Sequence, residues 1–286
     1  MINFKNKKQN KKQNQNNNKL NKLIIQSLIK NNTIKNNMIK NKSIILYNSI
    51  NIPYKLKPSY KTIIPLNIYQ TWHTKELPSK MLETCNLIKL ENPEFNHYLY
   101  DDNDCREFIK ANFEIDVLNA YDNLIPGAYR ADLWRYCILY KNGGIYLDIK
   151  FKCANGFKLI ELTDKEYFVQ DRNPIDIYNA LLVTKPGNEI MLKCINKIVE
   201  NVNNKYYGSN SLEPTGPHMI SQYLTQDEIN NMELKFNYIL NEQFSDYYIL
   251  YKNQIILRFY KEYVDERKLT PLKHYSVYWI ERNIYK

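Results

Sequence analysis

The stretch Pro126–Lys150, PGAYRADLWRYCILYKNGGIYLDIK, decides how this chain is read. Its first part has helical composition, Gly143-Gly144 supplies the backbone freedom that ends a helix, and Ile145–Asp148 is a short apolar strand. Pro126 suits an early helical position, where a missing N–H costs nothing. Open α/β sheets bind ligands outside the carboxyl ends of their strands. An apolar strand that delivers a carboxylate, Asp148, to its C-terminal end therefore marks a candidate site. Lys150 stands two residues on, where a metal-binding pair would carry its second carboxylate.

Working outward, Arg130, Asp132 and Arg135 put three charges on the helix. Asp132 and Arg135, spaced i and i+3, share a face; as a surface ion pair they would contribute under about 1 kcal/mol. The helix runs into GGIYLD with no room for a long loop, so its charged face and the strand end must lie close together. Asp148 can act there as a helix cap or turn former, or bind a divalent cation or a ligand hydroxyl.

The flanking pattern alternates strands and helices. IIPLNIYQTW (63–72) is a β-rich run, followed by helical spacing over 79–91 that Asn92-Pro93 ends. HYLYD (97–101) reads as a strand whose Asp101 or Asp102 caps the next helix, and a short helix fits 114–123. Further strands are expected at 167–170, 180–184, 247–251 and 254–259, and helices at 188–200, 217–224 and 226–234. Such interleaving predicts a mainly parallel sheet with helices on both faces.

Charge separates the chain into parts. Residues 1–50 hold 11 lysines and no acid; the 40 basic residues less these 11 leave 29 against 30 acidic residues beyond. The net charge of +10 therefore belongs to a Lys/Asn-rich low-complexity arm over 1–50. A linker is expected over 51–62, where Pro53 and Pro58 restrict the backbone, and a folded domain over 63–286. The arm can attract polyanions non-specifically; no specific nucleic-acid partner is expected of the near-neutral body. The five cysteines form no CxxC pair or Cys/His cluster, so neither zinc nor a disulfide framework is indicated. No run approaches the ~18 apolar residues of a membrane span, and a soluble cytoplasmic protein is expected. The Lys, Asn, Ile and Tyr enrichment matches the codon bias of an AT-rich genome.

YRADLWRYCILYKNGGIYLD (129–148) resembles the core of the DxD-containing glycosyltransferases of family thirty-two, relatives of yeast-type α-mannosyltransferases and of the large clostridial glucosylating toxins. PLNIYQTWHT (65–74) is similar to that family's first strand, usually Ile-Pro-Lys-Ile-Ile-His-Gln-Thr-Trp. EPTGPHMI (213–220) resembles its Thr-Gly-Pro segment, and HYSVYW (274–279) its C-terminal His…Ser-Trp. The matches occur in order from about 63 to 280, and their combination is specific where each alone is weak.

The resemblance implies an α/β, GT-A-like fold with a Rossmann-type sheet, a nucleotide-diphosphate sugar donor, and retaining transfer of a hexose to a hydroxyl of a glycan, lipid or protein. Carried over by position, Trp72 lies against the base, and Asp132 and Arg135 grip the sugar. Tyr146 and Asp148 meet the ribose and diphosphate, Trp279 closes over the diphosphate, and Arg130 and Lys150 join the donor site. A divalent cation, Mn or Mg, would bind through Asp148 with help from His274.

Two departures matter. Tyr69 replaces the usual His before Gln-Thr-Trp, a change expected in packing more than in chemistry. Lys150 replaces the second Asp, and a protonated lysine is no metal ligand. Either the ammonium neutralises the diphosphate itself, or metal still binds through Asp148 with help from His274 and phosphate oxygens. The alternative to an enzyme is a sugar-nucleotide or glycan-binding module that retains the fold without catalysis.

Overall fold

A computed structural model describes residues 47–240 and 245–286. Most of the Lys/Asn-rich arm lies outside the described residues. Residues from Pro53 onward form one compact unit. The segment expected as a linker runs along this unit without regular structure. The Tyr54 and Tyr60 hydroxyls and the Lys57 backbone N–H all donate to the carboxylate of Glu161, a buried residue.

Two mixed sheets organise the unit. The first has strand order β2-β1-β3-β6, built from β1 (Asn67–Thr71), β2 (Asn96–Tyr100), β3 (Gly144–Leu147) and β6 (Leu181–Thr184). β1 is parallel to β2 and β3, whereas β6 runs antiparallel to β3. The second has order β4-β9-β8-β7-β5, from β4 (Phe151–Cys153), β5 (Val169–Gln170), β7 (Leu234–Leu240), β8 (Ser245–Tyr251) and β9 (Gln254–Phe259). Only β5 and β7 pair in parallel there. The expectation of a mainly parallel sheet thus holds for three strands of the first sheet and fails for the second. Strands β7, β8 and β9 follow one another in sequence with few residues between them, which antiparallel pairing permits and parallel pairing does not.

Helix boundaries follow local chemistry. α1 (Ser79–Glu91) ends at Asn92 before Pro93. α2 (Asp102–Asn112) opens on a capping box, in which Asp101 accepts from the Asp104 N–H and Asp104 accepts from that of Asp101. α3 (Ile115–Asn123) leads to α4 (Gly127–Asn142), for which Pro126 is the N-cap. Gly143, at φ 61°, takes the left-handed position that closes α4 and returns its N–H to the Leu139 carbonyl. The helix expected over 226–234 stops at Asn230; Leu234 already starts β7. HYSVYW forms a helical turn over Tyr275–Ile280 and not a terminal strand.

α4 is buried on all sides, with every residue from Asp132 to Leu139 inside. It packs on α5 (Glu189–Asn203) and against the first sheet. Alternation along β3 and β6 divides the core. Tyr146 and Leu182 join the cluster with α4, whereas Ile145, Leu147, Leu181 and Val183 face the second sheet. Tyr69 belongs to the α4 side, 3% exposed and stacked on Tyr98, so its replacement of the family's His is a packing feature.

Candidate donor-binding cleft

The carboxyl ends of β1, β2 and β3 lie along one edge because those strands are parallel. Residues just beyond them, Trp72, Asp102 and Asp148, line one cavity of about 180 Å³. Antiparallel β6 brings its start to the same edge: the Asp148 N–H donates to the Ala180 carbonyl at 2.8 Å. An adjoining cavity of about 340 Å³ is lined by Asp132, Asn179, Gly216 and His274. Arg135, Asp148, Lys150, Arg267 and Tyr275 border both, so the two form one cleft over the sheet edge.

Asp132 and Arg135 sit on the floor. They are 7% and 6% exposed, so the surface ion pair expected from their spacing is a buried one. The helix buries its whole circumference, a fact that i, i+3 spacing does not reveal. Arg135 Nη2 lies 3.2 Å from Asp132 Oδ1, and Nη1 donates to the Asn179 carbonyl at 2.7 Å. Asp132 Oδ1 also accepts from Asn179 Nδ2 at 3.0 Å and Oδ2 from Thr215 Oγ1 at 2.8 Å. A Cβ at Gly216 would stand 3.3 Å from Asp132 Oδ2, which gives the glycine after Thr215 its place. Burial pushes the Asp132 carboxyl up to about 6, although Arg135 and the Thr215 hydroxyl both pull it down. At neutral pH it is therefore a carboxylate.

Arg135 reaches from this pair to the next strand. Its guanidinium lies 4.3 Å from the Tyr146 ring centre and 3.5 Å from Asp148 Oδ1. Burial opposes the Arg135 charge, but Tyr146, Asp132 and Asp148 more than restore it. Asp148 Oδ1 accepts from the Tyr146 hydroxyl at 2.6 Å, and Oδ2 receives Lys150 Nζ at 2.5 Å. Against burial, which favours the neutral acid, Lys150 and Arg135 hold the Asp148 carboxyl below the usual carboxylate range.

Other expected residues divide into two groups. Trp72 lines the first cavity, and its buried Nε1 has no hydrogen-bond partner; neither has the neighbouring His73 Nδ1. Such orphaned donors and acceptors call for a ligand or a water. Arg130 lies outside the cleft lining: it donates to Asp102 Oδ2 at 2.5 Å and to the Leu124 and Ile125 carbonyls, tying down the start of α4. Trp279 also lies off the lining, its indole N–H donating to the Tyr207 carbonyl at 2.6 Å. His97 pairs with Gln70 and His218 with Asp176, both structural contacts. Asn179, Arg267 and Tyr178 were not singled out from sequence, and their segments carry no motif that could have marked them. Thr215 lies inside a recognised segment, yet its bond to Asp132 spans 83 residues.

The residue set does not fit a directly bound divalent cation. Both Asp148 oxygens have partners, one of them an ammonium, and among the described residues no three His, Cys, Asp or Glu side chains converge. His274 lines the second cavity, but its Nδ1 caps the following helix turn through Ser276.

Acidification should silence the cleft, because protonating Asp132 removes the charge opposite Arg135. Binding of a hydroxyl-bearing ligand to this carboxylate is expected to fall as pH drops through about 6. Thr215→Val deletes a donor to the carboxylate and should move that limb up by roughly one pH unit; calorimetric titration across pH checks it, and an unmoved limb would mean another group controls it. Stability has the opposite sign. A raised folded pKa makes Asp132 favour the fold below 3.8, and this contribution is lost as pH rises through about 6.

Comparison with known proteins identifies the family. Residues 19–169, just over half of the chain, match the model of the glycosyltransferase sugar-binding region containing the DXD motif. Inositol phosphoceramide mannosyltransferase 3 of Schizosaccharomyces pombe is 30% identical over 145 residues, covering 51% of this chain and 40% of that protein. The initiation-specific alpha-1,6-mannosyltransferase of Candida albicans is 34% identical over 117 residues, covering 38% and 30%. The chain thus spans less than half the length of these relatives. The solved PaToxG glycosyltransferase aligns with a TM-score of 0.42 at 18% identity, over 66% of this chain and 77% of that one. Among the described residues no helix is long and apolar enough to cross a membrane. With the matched region running through α4 and Asp148, the chain belongs to the glycosyltransferases whose sugar-binding region contains the DXD motif.

Proposed function

We propose that this chain transfers a hexose, with retention of anomeric configuration, from a nucleoside diphosphate to an acceptor hydroxyl. The observation that carries the reading is the Asp132–Arg135–Asp148 chain of charges on the floor of the cleft, in which Asp132 and Arg135 are buried and Asp148 half-buried. Such a constellation is costly to bury. Its open side lies against a cavity at the carboxyl edge of the sheet, where a polar ligand would meet fixed dipoles.

In this reading the base lies against Trp72, whose unpartnered Nε1 has a ligand acceptor to find. Asp132 takes hydroxyls of the sugar, and Arg135 holds that carboxylate in place from the Asn179 carbonyl. The bond between the anomeric carbon and the diphosphate oxygen breaks while a new bond forms from the same face to the acceptor oxygen. The acceptor proton passes to the departing phosphate oxygen. Positive charge developing on the sugar faces Asp132, and negative charge on the diphosphate faces the cationic side of the cleft. Arg130 acts at one remove, through Asp102.

The mannosyltransferase relatives make mannose the first sugar to test, and inositol phosphoceramide the first acceptor. The full chain should be incubated with GDP- and UDP-linked hexoses and candidate acceptors. Nucleoside diphosphate release and the anomeric configuration of the product are then measured. Turnover of one donor into a product of unchanged configuration is expected. Nucleotide binding without turnover of any donor would favour a sugar-nucleotide-binding module, the reading that Lys150 on Asp148 keeps open.

A further inference from the structure

The contact between Lys150 and Asp148 has a chemical consequence for the donor. The family's second carboxylate is here an ammonium, and that ammonium is seated on the remaining carboxylate. Asp148 Oδ1 is engaged by the Tyr146 hydroxyl and faces Arg135; Oδ2 holds Lys150. A metal ion approaching these oxygens would meet a positive charge already in its place. We propose that Lys150, held on Asp148 and joined in the cleft by Arg267, neutralises the donor diphosphate in place of a divalent cation.

Lys150 is built for this position. Its side chain is 16% exposed, and its Nζ lies 5.2–5.8 Å from the ring centres of Phe259, Tyr178 and Phe151. Those rings restrict where the ammonium can go while leaving it charged. The backbone is fixed too, because the Lys150 carbonyl accepts from the Tyr260 N–H at 3.0 Å. An ammonium carries three N–H donors. One goes to Asp148, and among the described residues no second side chain or carbonyl accepts from Nζ. Lys150 borders both cavities, so its remaining donors have a ligand space beside them.

The charge pattern of the cleft calls for an anion as well. Arg135 is balanced by Asp132, and Lys150 by Asp148. Arg267 also borders both cavities, and among the described residues it makes no ion pair. It comes from the short helix Tyr263–Lys268, whose Tyr263 lines the same space. A diphosphate entering between Lys150 and Arg267 would supply the missing negative charge. The anion would share the lysine with Asp148 and take the arginine outright.

The inference rests on the donor reading above, and nucleotide binding tests it without requiring transfer. GDP and UDP are titrated calorimetrically into the full chain, once with a chelator and once with Mn²⁺. The better-bound nucleotide should bind equally, within about twofold, in both. Lys150→Met and Arg267→Met should each weaken it at least tenfold, and Lys150→Arg, which keeps the charge, should recover most of the loss. Lys150→Asp, restoring the carboxylate pair, should make binding at least tenfold tighter with Mn²⁺ than without. Wild-type binding that requires Mn²⁺ overturns the inference and leaves the donor reading standing. So does unchanged affinity in a Lys150→Met or Arg267→Met protein that melts normally. Failure of both nucleotides to bind under either condition would instead remove the donor reading, and this inference with it.

Discussion

Asp132→Asn is expected to lower sugar transfer by about two to three orders of magnitude, the loss seen when one preorganised charge is taken from a reacting centre. The fold should survive it. Asp132 carries a desolvation cost large enough to hold its carboxyl up near 6, so a neutral amide of the same shape removes an expense as well as a partner. The amide oxygen can take the Oδ1 side and keep accepting from Asn179 Nδ2 and Arg135, while the Thr215 hydroxyl turns to accept from the amide nitrogen on the Oδ2 side. Arg135→Ala is a different experiment. It leaves Asp132 buried, and Asp148 half-buried, without the guanidinium that lies 3.2 Å from one and 3.5 Å from the other. Breaking a buried pair from one side costs about 3–5 kcal/mol, so this variant should lose activity and stability together. Thermal melts beside the transfer assay separate the two. An Asp132→Asn protein that keeps more than a tenth of wild-type turnover would sink the sugar-binding role.

Those two residues were legible because the whole segment is local. Helix, glycines and strand follow one another within 25 residues, and sequence spacing nearly fixes their geometry. The α2 capping box was legible for the same reason, since a side chain needs to reach only three residues. What sequence hid was brought in from afar. Asn179 meets Asp132 across 47 residues and Thr215 across 83, and no local pattern encodes either approach. The second sheet was only half visible: β8 and β9 read as strands, whereas β4 is three residues long and β7 was hidden behind a helix-like stretch. Arg267 is one of two adjacent cations in YVDERK, and only tertiary placement distinguishes it from Lys268. Trp279 shows the reverse limit, for a motif can mark a segment without saying which way its indole points.

Gly144→Ala should be among the most damaging single-methyl changes in the chain, lowering stability by about 3 kcal/mol or more. The two glycines that sequence joined into one turn have separate duties. Gly143 closes α4 at φ 61°, while Gly144 already belongs to β3 at φ 119°, a conformation that side chains rarely adopt. Holding a non-glycine residue there costs about 1–3 kcal/mol. A Cβ at 144 would also stand 2.7 Å from the Asn67 carbonyl oxygen and 3.2 Å from the Tyr69 ring. Asn67 opens β1, so relief of that clash requires β3 to move from β1, at a typical overpacking cost of about 1–3 kcal/mol. For a domain of this size the melting temperature should fall by about 10 °C. Gly156→Ala supplies the control: its φ is 75°, but nothing lies within 4 Å of the added methyl. Strain is smaller at 156 as well, since φ 75° borders the left-handed well that side chains can enter, so strain and the close approach of β1 together predict a clearly larger loss at 144. Because Asp148 directly follows β3, whatever fraction of the Gly144→Ala protein stays folded should also transfer sugar poorly. Displacing the strand by a few tenths of an ångström carries Tyr146 and Asp148 away from Arg135 and opens the chain of charges on which the cleft depends.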